Sequence, residues 1–397
     1  MSESARARLK VMTVVGTRPE IIRMSRVIPV LDSVADHVLV HTGQNFDYEL
    51  NGIFFDQLEI RRPDILLEVA GATAAESIAN TILKVDAVLE EEKPEALLVL
   101  GDTNSALCVI PAKRRRIPIF HMEAGNRCFD QRVPEEINRR IVDHVSDMNL
   151  CYTEHARRNL LREGLPEDRV IKTGSPMKEV LDHHAAKIRS SDILSRLGLE
   201  RERYFVVSIH REENVDDPGN LTSLAQALGS LAEEFQFPMI VSLHPRTRKR
   251  MEAGGHTLHP LLRTMPPLGF PDYVALQCGA YCTLSDSGTI TEESALMGFP
   301  AVTLREAHER PEGMDEGVLV MSGLCERRIR QAVAITVAQH RSGSRPRVPA
   351  DYLVEQVSWK VAKIICGYTD YVRRVVWHAR EANGHAEAPE NSKPARV

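Results

Sequence analysis

Short runs of apolar, often β-branched residues alternate with amphipathic stretches along most of the chain. Five such runs predict strands in the first part: residues 10–15, 37–41, 96–100, 117–121 and 148–152. Residues 75–91 predict a helix between two of them, because Ile78, Ile82 and Val85 recur at helical spacing. Strands separated by helices predict βαβ units and therefore a parallel sheet.

The alternation pauses at the turn sequence Gly-Ser-Pro, residues 174–176, and a polar helical pattern follows over residues 178–197. A second series of apolar runs then predicts five more strands: residues 204–209, 239–243, 273–276, 281–285 and 301–304. We therefore expect a second α/β domain of similar size. A chain of 397 residues is also long for one hydrophobic core.

The C-terminal part of the sequence predicts helix and then disorder. Residues 357–382 predict one or two long helices, because Val372, Val376 and Ala379 recur at helical spacing. Residues 381–397 are rich in Ala, Glu, Pro, Asn and Ser and have no large apolar residue before Val397. We expect this tail to be disordered.

Composition and charge narrow the class of protein. The net charge of −5 gives no electrostatic footprint for nucleic acid, and no apolar run reaches membrane-spanning length. The seven cysteines form no CxxC pair, and residues 1–10 lack a signal-peptide core. We therefore expect a cytoplasmic protein with reduced thiols that binds neither nucleic acid nor a membrane.

Two acidic segments follow the predicted strand at residues 117–121. They are His-Met-Glu-Ala-Gly-Asn-Arg at residues 121–127 and Pro-Glu-Glu-Ile-Asn-Arg-Arg at residues 134–140. They fall at the carboxyl end of a parallel strand and the start of a helix, where α/β proteins build their sites. Carboxylates interleaved with arginines suit proton transfer on a substrate that carries negative charge.

Two other turns are candidates for binding phosphate. In the sequence Gly-Thr-Arg-Pro-Glu, residues 16–20, the glycine permits close approach of the backbone and Arg18 adds a charged contact. In the second domain Ser287 and the N–H groups of Gly288 and Thr289 open a helix, and Glu293 could accept from ribose hydroxyls. A common glycine turn and a capped helix N-terminus are the structural alternatives.

Histidine and aspartate also follow predicted strands. His210 and His244 come after neighbouring strands, and a neutral histidine that contacts phosphate or moves a proton fits them better than a metal site. Asp102 either caps a helix or points into a cleft. Residues 306–312 form either a solvated loop or part of the site. We expect His183 and His184 to be surface or capping residues.

Together these motifs resemble the non-hydrolysing UDP-N-acetylglucosamine 2-epimerases. The motifs occur in the family's order across residues 9–323: residues 16–20, 101–103, 123–125, 134–139, 286–288 and 309–312. The resemblance implies two Rossmann-like domains that face each other across a cleft, as in GT-B glycosyltransferases. It also implies a homodimer, a UDP-sugar substrate and a reaction that needs neither metal nor nicotinamide cofactor.

The family's chemistry interconverts UDP-GlcNAc and UDP-ManNAc. UDP is eliminated to leave a 2-acetamidoglucal and is added back as the proton returns to the opposite face of carbon 2. The implied domains are residues 1–175 with the catalytic carboxylates and residues 176–367 with the UDP site. Residues 368–380 would form a helix on the N-terminal domain.

The resemblance assigns roles at the matched positions. Asp102, Glu123 and Glu135 are the acid–base candidates, and His210 acts on phosphate or proton. Arg18, Ser287 and Gly288 would hold the diphosphate. The remaining binding positions are Glu293 for ribose, Phe270 for uracil, and Arg139, His244 and Arg310.

Some positions depart from the usual family pattern. Arg23 stands where many members have lysine, and residues 126–133 form a shorter loop. With residues 42–48, this loop resembles a branch that makes UDP-N-acetyl-L-fucosamine from UDP-2-acetamido-2,6-dideoxy-L-talose. Three other hypotheses remain: hydrolytic release of ManNAc and UDP, a GT-B glycosyltransferase, and a non-catalytic sugar-nucleotide sensor. The carboxylate cluster favours elimination chemistry over the last two.

Overall fold

The computed structural model describes residues 8–43, 55–209, 211, 214, 217–243, 259–266 and 268–379. These residues form two parallel β-sheets covered by helices. The predicted α/β fold class is confirmed. No helix in these ranges is both long enough and apolar enough to cross a membrane.

The N-terminal half is built around the first sheet. Its elements are β1 (Lys10–Val15), α1 (Arg18–Met24), α2 (Val27–Val34), β2 (Asp36–His41), β3 (Ile65–Leu66), α3 (Ala74–Glu92), β4 (Ala96–Leu100), α4 (Val109–Arg114), β5 (Ile119–Met122), α5 (Pro134–Val145), β6 (Met148–Cys151), α6 (Glu154–Arg162), β7 (Val170–Lys172), α7 (Met177–Arg189) and α8 (Ile193–Arg196). A 3₁₀ helix, Asn104–Cys108, lies between β4 and α4.

The C-terminal half is built around the second sheet. Its elements are β8 (Phe205–Ile209), α9 (Pro218–Phe235), β9 (Met239–Leu243), β10 (Leu262–Met265), α10 (Phe270–Gly279), β11 (Cys282–Ser285), α11 (Ile290–Met297), β12 (Ala301–Thr303), α12 (Pro311–Asp315), β13 (Val320–Met321), α13 (Glu326–Arg341) and α14 (Val357–Trp377).

Both sheets have the same doubly wound order. The strands run β3-β2-β1-β4-β5-β6-β7 in the first sheet and β10-β9-β8-β11-β12-β13 in the second, and every pair is parallel. The order reverses between β1 and β4 and between β8 and β11. Ligands of such sheets bind at this switch point, beyond the carboxyl ends of the strands.

Burial on both faces explains why the central strands are continuous apolar runs. All five residues of β4 are buried, and alternate residues enter two different hydrophobic clusters. The sequence pattern missed β3, β7, β10 and β13. Each has four residues or fewer and lies at a sheet edge.

One predicted strand is wrong. Residues 273–276 belong to α10, which begins after Gly269 and has a proline in its first turn. A four-residue apolar run does not distinguish a strand from a buried turn of helix, whereas Pro271 fits the first turn of a helix.

The last helix, α14, returns to the N-terminal half and packs on α2. Val361, Ile365 and Val372 are buried in the same core as Val11 of β1. The helix is continuous from residue 357 to 377. The domain boundaries at residues 175 and 367 stay predictions, and the second falls within α14.

Candidate active site

Asp102 lies in the loop after β4 and is held by an arginine of α5. Arg139 donates to the Asp102 carboxylate at 2.6 and 3.0 Å and to Glu136 at 2.9 Å. Burial opposes the charge on Arg139, but Asp102 and Glu309 outweigh it and raise the pKa of Arg139. The Asp102 side chain is 28% exposed, so an oriented carboxylate faces open space.

Glu123 directly follows β5 and has a left-handed backbone, with φ of 65°. Such strain in a residue other than glycine is typical of functional sites. Its carboxylate pairs with Arg23 and, at 2.5 Å, with Arg310. Burial opposes ionisation, but the two guanidinium groups outweigh it and hold the pKa of Glu123 below its usual value.

A buried aspartate supports the loop that carries Glu123. Asp143 of α5 accepts from the Gly125 N–H at 3.2 Å and from Arg127 at 2.6 Å, and it lies 2.9 Å from His121. Gly125 has φ of 84°, and a Cβ there would lie 2.3 Å from the Ala156 carbonyl oxygen. The loop therefore requires glycine at this position.

Glu135 and Glu136 begin α5 but differ in their surroundings. Glu135 is half-buried. Glu136 is fully buried and accepts from the Cys128 N–H at 3.0 Å as well as from Arg139. Glu136 therefore positions Arg139, whereas only its neighbour Glu135 was predicted as a site residue from the sequence.

Arg18 bridges the two halves. Its guanidinium donates to the Leu268 carbonyl at 2.7 Å, and burial lowers the pKa of Arg18 to about 10. Glu20 fixes the turn at residues 16–17. Its carboxylate accepts hydrogen bonds from the Gly16 N–H at 2.5 Å and from the Thr103 hydroxyl at 2.6 Å. Glu20 therefore joins the loops after β1 and β4.

The loop between β11 and α11 carries Ser287 and Gly288, which the sequence predicts to hold the diphosphate. The hydroxyl oxygens of Ser287 and Thr289 lie 3.0 Å apart. A Cβ on Gly288 would lie 2.3 Å from Glu309, a buried carboxylate that pairs with Arg305 at 2.8 Å. Burial opposes ionisation of Glu309, but Arg305 and Arg211 hold its pKa well below its usual value.

Glu293, in the first turn of α11, is buried and accepts from Gln277 at 3.0 Å. Burial raises the pKa of Glu293. Phe270 is also buried, and its ring lies 5.7 Å from that of His184. A uracil contact at residue 270 would therefore have to come from the main chain.

His184 is fully buried, so its assignment as a surface or capping residue is wrong. The apolar environment lowers the pKa of His184 to about 4, and its imidazole packs in the core as a neutral ring. His210 and His244 lie outside the described residues. Within the described ranges, no cluster of three or more His, Cys, Asp or Glu side chains could hold a metal ion.

The structure brings Glu123, Arg18 and Arg310 to the interface between the two halves. It also places Arg23 and Glu292 at this interface, and these two residues, like Glu136, were not predicted as site residues from the sequence. Arg23 lies three positions after the turn at residues 16–20, and its replacement of the lysine found in many family members was a second signal. Glu292 directly precedes the predicted ribose ligand Glu293.

The fold and the site between its two halves define a class of protein, the two-domain α/β enzymes with the GT-B arrangement. The family model described as UDP-N-acetylglucosamine 2-epimerase matches residues 31–366. The chain therefore belongs to the UDP-N-acetylglucosamine 2-epimerase family, whose members are isomerases, and it is an enzyme of this kind.

Three known proteins illustrate the relationship. The structure of UDP-N-acetylglucosamine 2-epimerase from Rickettsia bellii is similar, with 52% identity, a TM-score of 0.88, and coverage of 94% of this chain and 100% of that one. The Methanocaldococcus jannaschii UDP-GlcNAc 2-epimerase in complex with UDP-GlcNAc and UDP has 29% identity, a TM-score of 0.85, and coverage of 90% and 100%. UDP-2,3-diacetamido-2,3-dideoxy-D-glucuronate 2-epimerase of Pseudomonas aeruginosa is 35% identical over 79% of this chain and 88% of its own length.

Proposed function

We propose that the enzyme interconverts UDP-GlcNAc and UDP-ManNAc by eliminating UDP and adding it back. The observation that carries this proposal is the Glu123 carboxylate, which arginines from both halves keep ionised at the interface. An ionised carboxylate beside a nucleotide site suits removal of a proton from the sugar.

The proposed reaction explains why cations and carboxylates are needed together. The proton on carbon 2 becomes acidic only as UDP leaves and carbon 1 gains oxocarbenium character. Arg18 and the amides near Ser287 and Gly288 would stabilise the departing diphosphate. Inversion also needs groups on both faces of the sugar, which we assign to Asp102, Glu123 and Glu135, with His210 as an additional candidate.

The remaining roles are proposals of the same kind. Glu293 would hold the ribose, and the main chain at Phe270 would contact uracil. Arg139 would orient Asp102, a role supported by their 2.6 Å contact. His244 would contribute to binding of the substrate.

The choice of sugar is supported by the relatives. The structure from M. jannaschii contains UDP-GlcNAc and UDP, and the relative from R. bellii is 52% identical and is named for the same activity. The P. aeruginosa relative is named for a diacetamido glucuronate, which indicates that sugar specificity varies. UDP-2-acetamido-2,6-dideoxy-L-talose is the alternative substrate, because residues 42–48 and 126–133 resemble the fucosamine branch.

An NMR experiment in deuterated water separates these possibilities. The enzyme is incubated with UDP-GlcNAc, and the carbon 2 proton signal is followed together with the products. We expect deuterium at carbon 2 and formation of UDP-ManNAc. Free ManNAc with UDP would establish hydrolysis. A parallel incubation uses UDP-2-acetamido-2,6-dideoxy-L-talose, and turnover of this nucleotide but not of UDP-GlcNAc would establish the fucosamine branch. Epimerisation without deuterium at carbon 2 would rule out the elimination route.

We also propose that the enzyme is a homodimer that pairs through α3 and α5. Both helices contact the 3₁₀ helix Asn104–Cys108. They expose Leu83 (69%) and Ile137 (52%), two large apolar side chains on this side of the N-terminal half. Sedimentation analysis should give a dimer for the wild type and a monomer for Ile137→Lys. A monomeric wild type would contradict this proposal.

A further inference from the structure

Four charged side chains form an ion cluster between the two halves, and Glu312 lies at its edge, 4.0 Å from Arg310. Arg23 and Arg310 each contact both Glu123 and Glu292. Arg310 lies 2.5 Å from Glu123 and 3.2 Å from Glu292, and Arg23 lies 2.5 Å from Glu292. Arg23 also pairs with Glu123. The two positive and two negative charges balance.

Glu292 is the most buried member of this ion cluster, with a side-chain exposure of 0%. The guanidinium groups of Arg23 and Arg310 also lie over the ring of Tyr152, at 5.7 and 5.9 Å from its centre. Two like charges in such surroundings require nearby counter-charges, because removal of one partner leaves an uncompensated buried ion.

The contacts of Glu292 come from both halves of the molecule. Arg23 of α1 binds one carboxylate oxygen, and the Ser175 hydroxyl donates to the other. Arg310 approaches from the C-terminal half itself. Glu292 therefore lies where α1, the segment before α7, and α11 meet.

We propose that Glu292 is a positioning residue that couples the arrangement of the two halves to the placement of Glu123. The catalytic part of this inference rests on the proposed function. Glu292 contacts both Arg23 and Arg310, and these two arginines orient the Glu123 carboxylate. Without the Glu292 charge, both guanidinium groups share one carboxylate, and the N-terminal half loses its buried ion pair with α11.

The substitution Glu292→Gln tests this role because it keeps the size of the side chain and an acceptor for Ser175. We expect kcat for UDP-GlcNAc epimerisation to fall by roughly a hundredfold, since small displacements of a catalytic group have effects of this size. KM should change by less than about threefold, because substrate contacts remain. Glu292→Asp should recover part of the lost kcat by restoring the charge.

Three controls separate positioning from simple loss of stability. Glu326→Gln changes a half-buried glutamate in the first turn of α13, outside the proposed site, and should keep wild-type kinetics. Ser175→Ala removes the hydroxyl contact with Glu292 and the bond that this hydroxyl accepts from the Met177 N–H, but it keeps the Glu292 charge, and it should lower kcat by less than Glu292→Gln does. Thermal unfolding of each variant shows whether it is folded at the assay temperature. If Glu292→Gln is unfolded there, kcat of Glu292→Asp provides the test instead.

A structural readout tests Glu292 independently of catalysis. Small-angle X-ray scattering should show a larger radius of gyration for Glu292→Gln than for the wild type. Unchanged scattering with kcat within about twofold of the wild type would overturn the proposal. A wild type that does not exchange the carbon 2 proton would instead refute the proposed function, and the scattering comparison would still decide the role of Glu292.

Discussion

Arg310, on the loop before α12, donates a 2.5 Å hydrogen bond to Glu123, which lies at the carboxyl end of β5. The two residues are 187 positions apart in the sequence and belong to different halves of the molecule. The contact therefore exists only when the two halves are packed together. Because Arg310 favours the ionised form of Glu123, packing of the two halves also stabilises the charge on this proposed base.

Glu123→Gln should lower turnover by roughly a hundredfold or more, because the proposed proton acceptor loses its charge while keeping its shape. The measurement is kcat for formation of UDP-ManNAc, with Glu326→Gln as the matched control. Turnover near the wild-type value would remove Glu123 from the mechanism.

Asp102→Asn should also lower turnover by roughly a hundredfold while leaving the fold intact. Arg139 keeps its 2.9 Å contact with Glu136, so we expect the Tm to change by less than about 3 °C. The control is Asp370→Asn, an exposed residue of α14. Equal kcat in both variants would show that Asp102 is not an acid–base group.

Gly288→Ala should weaken binding of UDP by about tenfold, or about 1.4 kcal/mol, because the added Cβ would collide with Glu309 in the proposed cradle. Glu309 cannot move freely, since Arg305 and Arg211 hold it. Gly229→Ala in α9, where a Cβ meets nothing within 4 Å, is the control in isothermal titration calorimetry with UDP. Unchanged affinity would exclude a close diphosphate contact at residue 288.

Glu20 should make the stability of the protein depend on pH. Burial raises the pKa of Glu20 to about 7 from the usual 4.5, so the folded protein holds a proton that the unfolded chain releases in this interval. The free energy of unfolding should therefore fall as the pH rises from about 4.5 to about 7, by up to about 3 kcal/mol.

Glu20→Gln should remove this contribution, because the amide keeps a carbonyl acceptor for the Gly16 and Thr17 N–H groups. Urea unfolding of both proteins at several pH values between about 5 and about 8 provides the comparison. The stability difference, wild type minus variant, should decrease across the interval. Parallel pH profiles would mean that Glu20 titrates normally.

Much of the fold could be predicted because the sheets are buried on both faces. Continuous apolar runs such as residues 96–100 carry a strong signal, and β4 forms there as expected. Edge strands such as Ile65–Leu66 are too short to produce a recognisable apolar pattern. Residues 273–276 were misassigned because a helix buried on most sides has the same local composition as a buried strand.

The candidate site was only partly predictable for a different reason. Glycine turns and acids after strands leave local signals, which led to Arg18, Asp102, Glu123 and Ser287. The partners of these groups depend on packing between halves, and Arg23 and Glu292 are separated by 269 positions. No local pattern indicates such a pair, and none distinguishes the half-buried Glu135 from the fully buried Glu136.

Positional isotope exchange tests the central claim most directly, namely that UDP leaves the sugar within a cleft formed by both halves. The substrate is UDP-GlcNAc with ¹⁸O in the bridge between carbon 1 and phosphorus. If UDP is released and rotates before it is added back, the label should move into non-bridging positions of the recovered nucleotide sugar. Epimerisation with the label fixed in the bridge and with no exchange of the carbon 2 proton would contradict the elimination mechanism.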